Sequence, residues 1–149
     1  MNIKKTAAIA LTTLIVAASA YAATHSPIAQ RKAAMKEIGG QMRTLGGMAQ
    51  GKTEYDDFAV FSALEIMLNA AITARPLFAD SMNMGEETRA KPEIWAAGSD
   101  FDAQMGQMIT RLEAAIEADP ADLETFLPLF GAVAATCKSC HEAFRAPES

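Results

Sequence analysis

The residues most able to do chemistry in this 149-residue chain lie close to its C-terminus, in the run Cys137-Lys138-Ser139-Cys140-His141. The C-x-x-C-H spacing is the attachment signature of c-type haem. Two thiols three residues apart lie on one side of a helical turn, where they can add to the two vinyl groups of one porphyrin. The imidazole that follows then lies over the iron as its proximal ligand. The motif predicts one haem c, attached through Cys137 and Cys140, with His141 on the iron.

Two other uses of this cysteine pair have to be weighed against haem. The chain holds only two cysteines, so a four-ligand zinc site would lack ligands. In a thiol–disulfide oxidoreductase, the C-x-x-C motif usually begins a helix that follows a strand. Here the motif lies near the end of a predicted helix, in a chain without strand signals. Covalent haem is therefore the favoured interpretation.

The first 22 residues have the pattern of a secretory signal peptide. Lys4 and Lys5 give a positive start, a short apolar run covers 7–18, and residues 20–22 form an A-x-A cleavage site. An uncleaved membrane anchor is the alternative, which the shortness of the apolar run disfavours. We therefore expect a signal peptide over 1–22, one mature domain over 23–149 that does not span a membrane, and a periplasmic location. Export agrees with the haem prediction, because haem is attached to such proteins outside the bacterial cytoplasm.

The mature chain is strongly acidic. The signal peptide holds two of the 13 basic residues and none of the 18 acidic ones, so 11 − 18 gives a net charge of −7 after cleavage. This balance argues against nucleic acid as a partner. It favours redox protein partners with a basic surface.

Four segments repeat apolar residues at steps of three and four, the spacing of amphipathic helices. No segment alternates apolar and polar residues as a strand would. The pattern predicts an all-α protein, folded as an antiparallel four-helix bundle. The predicted inward positions are Ile28, Met35, Ile38, Met42 and Leu45, then Phe61, Leu64, Leu68 and Ala71, then Phe101, Met105, Met108, Leu112 and Ala115, and last Leu123, Phe126, Phe130, Val133, Cys137, Cys140 and Phe144.

Prolines mark the limits of the predicted helices. Pro76 ends or kinks the second helix, and a long surface crossover is expected over about 78–98. Asp119-Pro120 is a start signal for the fourth helix, since Asp can cap and Pro suits the first helical position. Pro128, inside that helix, predicts a bend.

The ligand on the far side of the iron does not follow from spacing. His25 lies beside the expected mature N-terminus, so ligation by two histidines is disfavoured. Methionine is the remaining soft ligand, although its default role is core packing. Spacing alone does not choose among the methionines on the inward stripes, which are Met35, Met42, Met105 and Met108; Met82 and Met84 lie in the crossover.

Arg31 favours one of these methionines. It stands on the first stripe between Ile28 and Met35, where an apolar residue is expected. A buried guanidinium needs an anion, and a haem propionate is a suitable one. Arg31 and Met35 are four residues apart and share a helix face, which predicts Met35 as the sixth ligand. Arg145, one turn beyond His141, is a second candidate partner for a propionate.

These features together resemble class II cytochromes c, the cytochrome c prime family. The resemblance rests on the C-terminal C-x-x-C-H motif, the Phe144-Arg145 pair after it, the Arg-x-x-x-Met element at 31–35, and Pro92-Glu93-Ile94-Trp95 in the crossover. It implies an up-down-up-down four-helix bundle with one haem c and His141 as the fifth ligand. It also implies contacts of Arg31 and Arg145 with the propionates.

The resemblance also implies two subtypes that differ at position 35. Low-spin members ligate the iron with methionine, whereas high-spin members leave the sixth site empty, bind nitric oxide or carbon monoxide, and commonly dimerise through the first two helices. Met35 predicts the first: an electron-transfer haem protein with His/Met axial ligation. The alternative is a five-coordinate gas-binding protein. No substrate-shaping residues stand out, so an enzyme is not expected, and a homodimer is left open.

Overall fold

Four helices account for most of the chain in a computed structural model, which describes residues 26–79 and 87–147. In chain order they are α1 (Pro27–Ala49), α2 (Asp57–Ala74), α3 (Phe101–Glu117) and α4 (Leu123–Phe144). Within the described residues there is no strand, and the one β-type contact is an isolated antiparallel bridge between Ala90 and Arg145. The predicted all-α class is confirmed.

The helices form a closed antiparallel bundle. α1 packs on α2, α2 on α3 and α3 on α4, and the ring closes where α4 packs on α1. The connections after α1 and α3 are short, so consecutive helices run in opposite directions. This is the predicted up-down-up-down arrangement. It brings the end of α4, which carries the C-x-x-C-H motif, beside the start of α1.

The predicted inward stripes of α1, α3 and α4 are found largely as expected. Ser26 caps α1 by accepting a hydrogen bond from the backbone N–H of Ala29 at 3.0 Å, and Pro27 takes the first helical position. Six stripe residues are half-buried rather than buried, namely Met35, Met42, Leu123, Phe130, Cys137 and Cys140. The buried members are Ile28, Ile38, Leu45, Phe101, Met105, Met108, Leu112, Ala115, Phe126, Val133 and Phe144.

The buried face of α2 is rotated slightly from the one that its sequence predicts, and Leu68 of the predicted stripe is half-buried against the core. Phe61, expected inside, is 37% exposed, whereas Val60 and Met67 are buried. The expected Leu64 and Ala71 are buried as well. Several faces of this helix are apolar, so periodicity does not choose between neighbouring stripes; packing against α1 and α3 does.

α4 begins later than Asp119-Pro120 predicts. Its cap is Asp122, whose carboxylate accepts hydrogen bonds from the backbone N–H of Thr125 at 2.8 Å and from the Thr125 hydroxyl at 2.7 Å. These bonds hold the pKa of Asp122 below its usual value. Asp119 has a φ of 43° and lies in the turn before the helix. α4 continues through Pro128 to Phe144.

The crossover between α2 and α3 is fastened at several points. α2 ends before Pro76, as predicted, and continues as a 3₁₀ turn, Arg75–Phe78; a second 3₁₀ turn is Pro92–Trp95. The indole N–H of Trp95 donates to the Phe78 carbonyl at 2.8 Å. Arg75 binds both carboxylate oxygens of Asp102 on α3 at 2.7 and 2.6 Å. The pKa of Asp102 is lowered, mainly because its carboxylate accepts these hydrogen bonds from Arg75 and also because Arg75 is positively charged.

The stretch Asp57–Phe78 is long and apolar enough to cross a membrane, with a mean hydropathy of 1.4. The sequence predicts a mature domain that does not span a membrane. Length and composition are weak grounds for a membrane span, because the core helix of a bundle meets the same test. Its buried face packs against the other helices of the bundle.

Candidate functional site

The last turns of α4 bring the cysteines and the histidine of the motif to one end of the bundle. Cys137 and Cys140 are half-buried and pack against the hydrophobic core. Phe144, one turn further on, is buried and contacts Phe101 of α3 edge-to-face, with ring centroids 5.3 Å apart. This aromatic contact fixes the end of α4 against α3 and so positions the motif.

The two thiols lie in apolar surroundings. Burial raises the pKa of Cys137 and raises the pKa of Cys140 to about 11, with smaller contributions to Cys140 from Cys137 and Asp100. Both groups are therefore neutral thiols at neutral pH. A setting of this kind suits an apolar macrocycle better than a cation held by thiolates.

His141 is in the protonation state that binds a metal. Burial lowers its pKa, and the positive charges of Arg145 and Arg89 lower it further. Nη1 of Arg145 lies 3.2 Å from Nδ1 of His141. The imidazole is thus neutral at neutral pH, the protonation state in which a histidine ring can ligate iron.

An apolar cleft opens beside His141, with an empty volume of about 680 Å³ counted to its open mouth. Residues from α1, α3, α4 and the crossover line it. They are Arg31, Lys32, Met35, Phe78, Thr88, Arg89, Ala90, Ile94, Phe101, Met105, Cys140, His141, Phe144 and Arg145.

The cleft distinguishes among the four methionines that spacing alone leaves as candidate iron ligands. Met35 and Met105 line it, whereas Met42 and Met108 are not among its lining residues. Met105 is buried in the core and Met35 is half-buried. The methionine that the sequence favours is therefore in the same cleft as His141. The other candidates, His25, Met82 and Met84, lie outside the described residues.

Arg31 is buried at 4% exposure, as its place on the inward stripe predicts. Its Cζ lies 4.9 Å from the centroid of the Phe78 ring and 5.6 Å from that of Trp95. Cation–π contacts of this kind stabilise a guanidinium that has lost water. The sequence did not predict these aromatic partners, because they come from the crossover, far along the chain.

A clasp between the crossover and the end of the chain closes one side of the cleft. The backbone N–H of Lys91 donates to the Phe144 carbonyl at 3.0 Å, and that of Ala146 donates to the Arg89 carbonyl at 2.8 Å. Nε of Arg89 also donates to the Ala146 carbonyl at 2.9 Å. The clasp sets Arg89 beside Arg145, and sequence periodicity gives no signal for such a single bridge.

These residues fit a haem c. The lining of the cleft is largely apolar and suits a flat macrocycle, while Arg31, Arg89 and Arg145, which also line it, suit two anionic propionates. Cys140 and the neutral His141 lie on one wall, with Cys137 a turn earlier on the same helix. Within 26–79 and 87–147, no group of three or more His, Cys, Asp or Glu side chains could hold a bare metal ion.

Known proteins resemble the chain over almost its whole length. The family model for cytochrome c' matches residues 26–145. The chain is 31% identical to a cytochrome c' of Rhodopseudomonas palustris, over 91% of this chain and 93% of that protein. It is 29% identical to a cytochrome c-556 of Agrobacterium fabrum, over 97% of each. The solved cytochrome c' of R. palustris superposes with a TM-score of 0.77 at 30% identity, covering 83% of this chain and 98% of that one.

Proposed function

Because the chain belongs to the cytochrome c' family, we propose that it is a periplasmic haem protein that carries electrons and binds a diatomic gas at the same iron. His141 on α4 would hold the iron, and nitric oxide or carbon monoxide would be the gas that the iron takes up. The observation that carries the proposal is the apolar cleft, in which His141 and Cys140 face side chains of α1 and α3. The haem supplies an iron that alternates between the ferrous and ferric states.

Each of these residues has a distinct role in the proposed function. Cys137 and Cys140 would hold the haem through thioether bonds, and the neutral imidazole of His141 would ligate the iron. Arg31 and Arg145 would bind the propionates, as the family resemblance implies. Phe101 and Phe144, packed edge-to-face, form part of the apolar lining of the cleft. Burial in such a lining is one of the means by which a protein sets the reduction potential of a haem.

Relatives support gas binding more directly than ligation by methionine. The matching family model and the R. palustris relative are both named cytochrome c'. Cytochrome c' of Alcaligenes xylosoxidans, at 22–23% identity, shares the fold, and its solved structures include nitric oxide and carbon monoxide complexes. An open sixth position is therefore our first candidate.

The position of Met35 favours a second candidate, an electron carrier with His/Met ligation. Met35 lines the same cleft as His141 and belongs to α1, the helix that faces α4. A thioether ligand stabilises ferrous iron and keeps the coordination similar in both oxidation states. Bound methionine would also compete with gas for the iron.

The reduced absorption spectrum of the holoprotein, with and without Met35→Leu, distinguishes the two candidates. For an open sixth position we expect a broad visible band, unchanged in form by Met35→Leu, and ready uptake of carbon monoxide. For ligation by Met35 we expect sharp, split bands that become broad in the variant. Met105→Leu is the control inside the cleft and Met42→Leu the control outside it; neither should change the ligation.

The same preparation tests the haem and the signal peptide. We propose that residues 1–22 are removed on export and that the mature domain is 23–149. Intact mass spectrometry of protein from cells competent for cytochrome maturation should give the mass of 23–149 plus one haem. A colourless protein with the mass of the bare chain would contradict the assignment of Cys137 and Cys140.

We further propose that the mature protein forms a homodimer through α2 and its neighbour α1. Proteins of this family are often dimeric. Phe58, Phe61 and Ile72 of α2 are 79%, 37% and 50% exposed, and large apolar side chains grouped on a surface commonly mark a protein interface.

A further inference from the structure

The helix that carries the haem motif ends close behind the proposed iron ligand. α4 stops at Phe144, three residues after His141. The last four carbonyl groups of an α-helix have no partner within the helix, and helix ends fray. Fraying of this turn would move the His141 ring. The turn therefore needs hydrogen-bond partners from outside α4.

One residue of the crossover supplies two of these partners. The backbone N–H of Lys91 donates to the Phe144 carbonyl at 3.0 Å, and its Nζ donates to the Ala143 carbonyl at 2.6 Å. The chain end itself adds a bond from the Arg145 N–H to the His141 carbonyl at 3.2 Å. A cation beside the last carbonyl groups of a helix also interacts favourably with the helix dipole. Lys91 is thus a cap of α4 that lies 52 residues earlier in the chain than Ala143.

Pro92 favours the conformation in which Lys91 makes both bonds. The residue before a proline is restricted to extended backbone angles, and Lys91 has a φ of −81° and a ψ of 149°. Its carbonyl accepts a hydrogen bond from the Ile94 N–H at 3.2 Å, within the 3₁₀ turn that follows. Ile94 is buried and lines the cleft. Lys91 therefore belongs to a segment that is itself fixed on the bundle.

The charge of Lys91 has a carboxylate beside it, so charge is not what distinguishes this residue. Oε1 of Glu93 lies 3.8 Å from Nζ of Lys91. Lys138 on α4 has the same arrangement, with Oε1 of Glu142 3.8 Å from its Nζ. The Lys138 side chain is 77% exposed, whereas that of Lys91 is 31% exposed and donates to the helix end. Comparison of the two lysines can therefore separate the hydrogen bond from the charge.

We propose that Lys91 is a positioning residue for the haem ligand: it holds the last turn of α4 closed and so sets the direction of the His141 ring. The inference rests on the proposed attachment of haem to α4. Lys91 does not line the cleft, and it acts through main-chain atoms two and three residues after His141. Cys140 and Phe144, which line the cleft from the same part of α4, are held by the same bonds.

Amide hydrogen exchange of the holoprotein, followed by mass spectrometry, tests whether Lys91 holds the turn. Lys91→Met removes the Nζ donor but keeps a long side chain, the backbone bond and the clasp, so the bundle should fold. We expect the peptide that follows His141 to exchange about tenfold faster, the value of one hydrogen bond from a charged donor. Peptides of α3 should be unchanged. Lys91→Arg keeps a cationic donor and should restore slow exchange.

Electron paramagnetic resonance of the ferric holoprotein tests whether the turn positions the imidazole, because the g values report the axial ligand field in either spin state. We expect a single ferric species in the wild type and in Lys91→Arg, and a second species in Lys91→Met. Lys138→Met removes the same charge from an ion pair of the same length. Glu93→Gln removes the carboxylate and keeps the donor. Both controls should match the wild type.

Three results would overturn the proposal. Wild-type exchange in Lys91→Met would show that the Nζ bond does not hold the turn. Faster exchange with an unchanged ferric spectrum would make Lys91 a structural cap alone. Equal changes in Lys138→Met would assign the effect to charge. A protein that carries no haem would instead contradict the proposed function, and this result is distinct from a holoprotein that does not respond to the substitution.

Discussion

At the scale of single residues, Arg31 links three parts of the molecule. It is carried by α1, lines the haem cleft, and lies against the rings of Phe78 and Trp95 from the crossover. Its guanidinium is carried one turn from Met35 on the same helix. The same contact also holds the crossover against the bundle.

Replacement of Arg31 should therefore cost stability. We expect Arg31→Ala to lower the free energy of unfolding by about 2 kcal/mol, because it removes the cation–π contacts and leaves space in a buried site. Urea unfolding of the holoprotein, followed by far-ultraviolet circular dichroism, measures the change. Lys32→Ala, at the next and exposed position, is the matched control and should stay within about 0.5 kcal/mol. Equal effects of the two variants would contradict a structural role for the Arg31 contacts.

The sequence is more informative about the cleft residues carried by α4 than about those carried by the crossover. Cys140 and His141 could be placed because a short motif on one helix has few possible geometries. Arg31 could be predicted as buried because it interrupts an apolar stripe. Phe78 and Arg89 could not be placed, because their positions depend on where a long connection folds back, and no local pattern encodes that.

At the scale of elements, Tyr55 joins the two connections at the acidic end. Its hydroxyl donates to the carbonyl of Pro120 in the connection before α4, and its ring lies 5.8 Å from that of Phe126. This bond gives Pro120 a role that the sequence did not suggest. We had predicted that Asp119-Pro120 would start the helix, whereas Asp122 caps it.

Tyr55→Phe should destabilise the bundle by about 1 kcal/mol, the usual value of one hydrogen bond. The folded-state pKa of Tyr55 is raised above 10.0, so the fold favours the neutral phenol. Its contribution is complete below pH 10 and is lost as pH rises through the folded pKa. The difference in unfolding free energy between wild type and variant should therefore shrink above pH 10. A difference that does not change with pH would contradict this account.

In α2, helical periodicity does not determine which face of the helix is buried. Ile28, Leu45 and Leu112 were placed correctly because their helices have one apolar stripe and a polar remainder. α2 is apolar on several faces, so Phe61 was predicted inside although Val60 is the residue that the neighbouring helices cover. The existence of the helix could be predicted from the sequence, but its rotation depends on tertiary packing.

At the scale of the whole molecule, α2 exposes an apolar face whose large side chains, Phe58, Phe61 and Ile72, do not line the haem cleft. Phe58 and Phe61 are three residues apart, and Ile72 follows eleven residues after Phe61, about three helical turns, so all three share one face. None of the three side chains lines the haem cleft, so the proposed dimer contact would leave the cleft open.

The double substitution Phe58→Ser with Phe61→Ser should convert a dimer to a monomer. Each phenylalanine buried at the interface contributes roughly 1.5–3 kcal/mol, so the dissociation constant should rise at least tenfold. Sedimentation at micromolar concentration measures the change, with Leu127→Ser on α4, 42% exposed, as the matched control that keeps the dimer. A wild-type protein that sediments as a monomer would contradict the interface, and a double variant that stays dimeric would place the interface elsewhere. Because neither phenylalanine lines the cleft, the reduced spectrum should be the same in monomer and dimer.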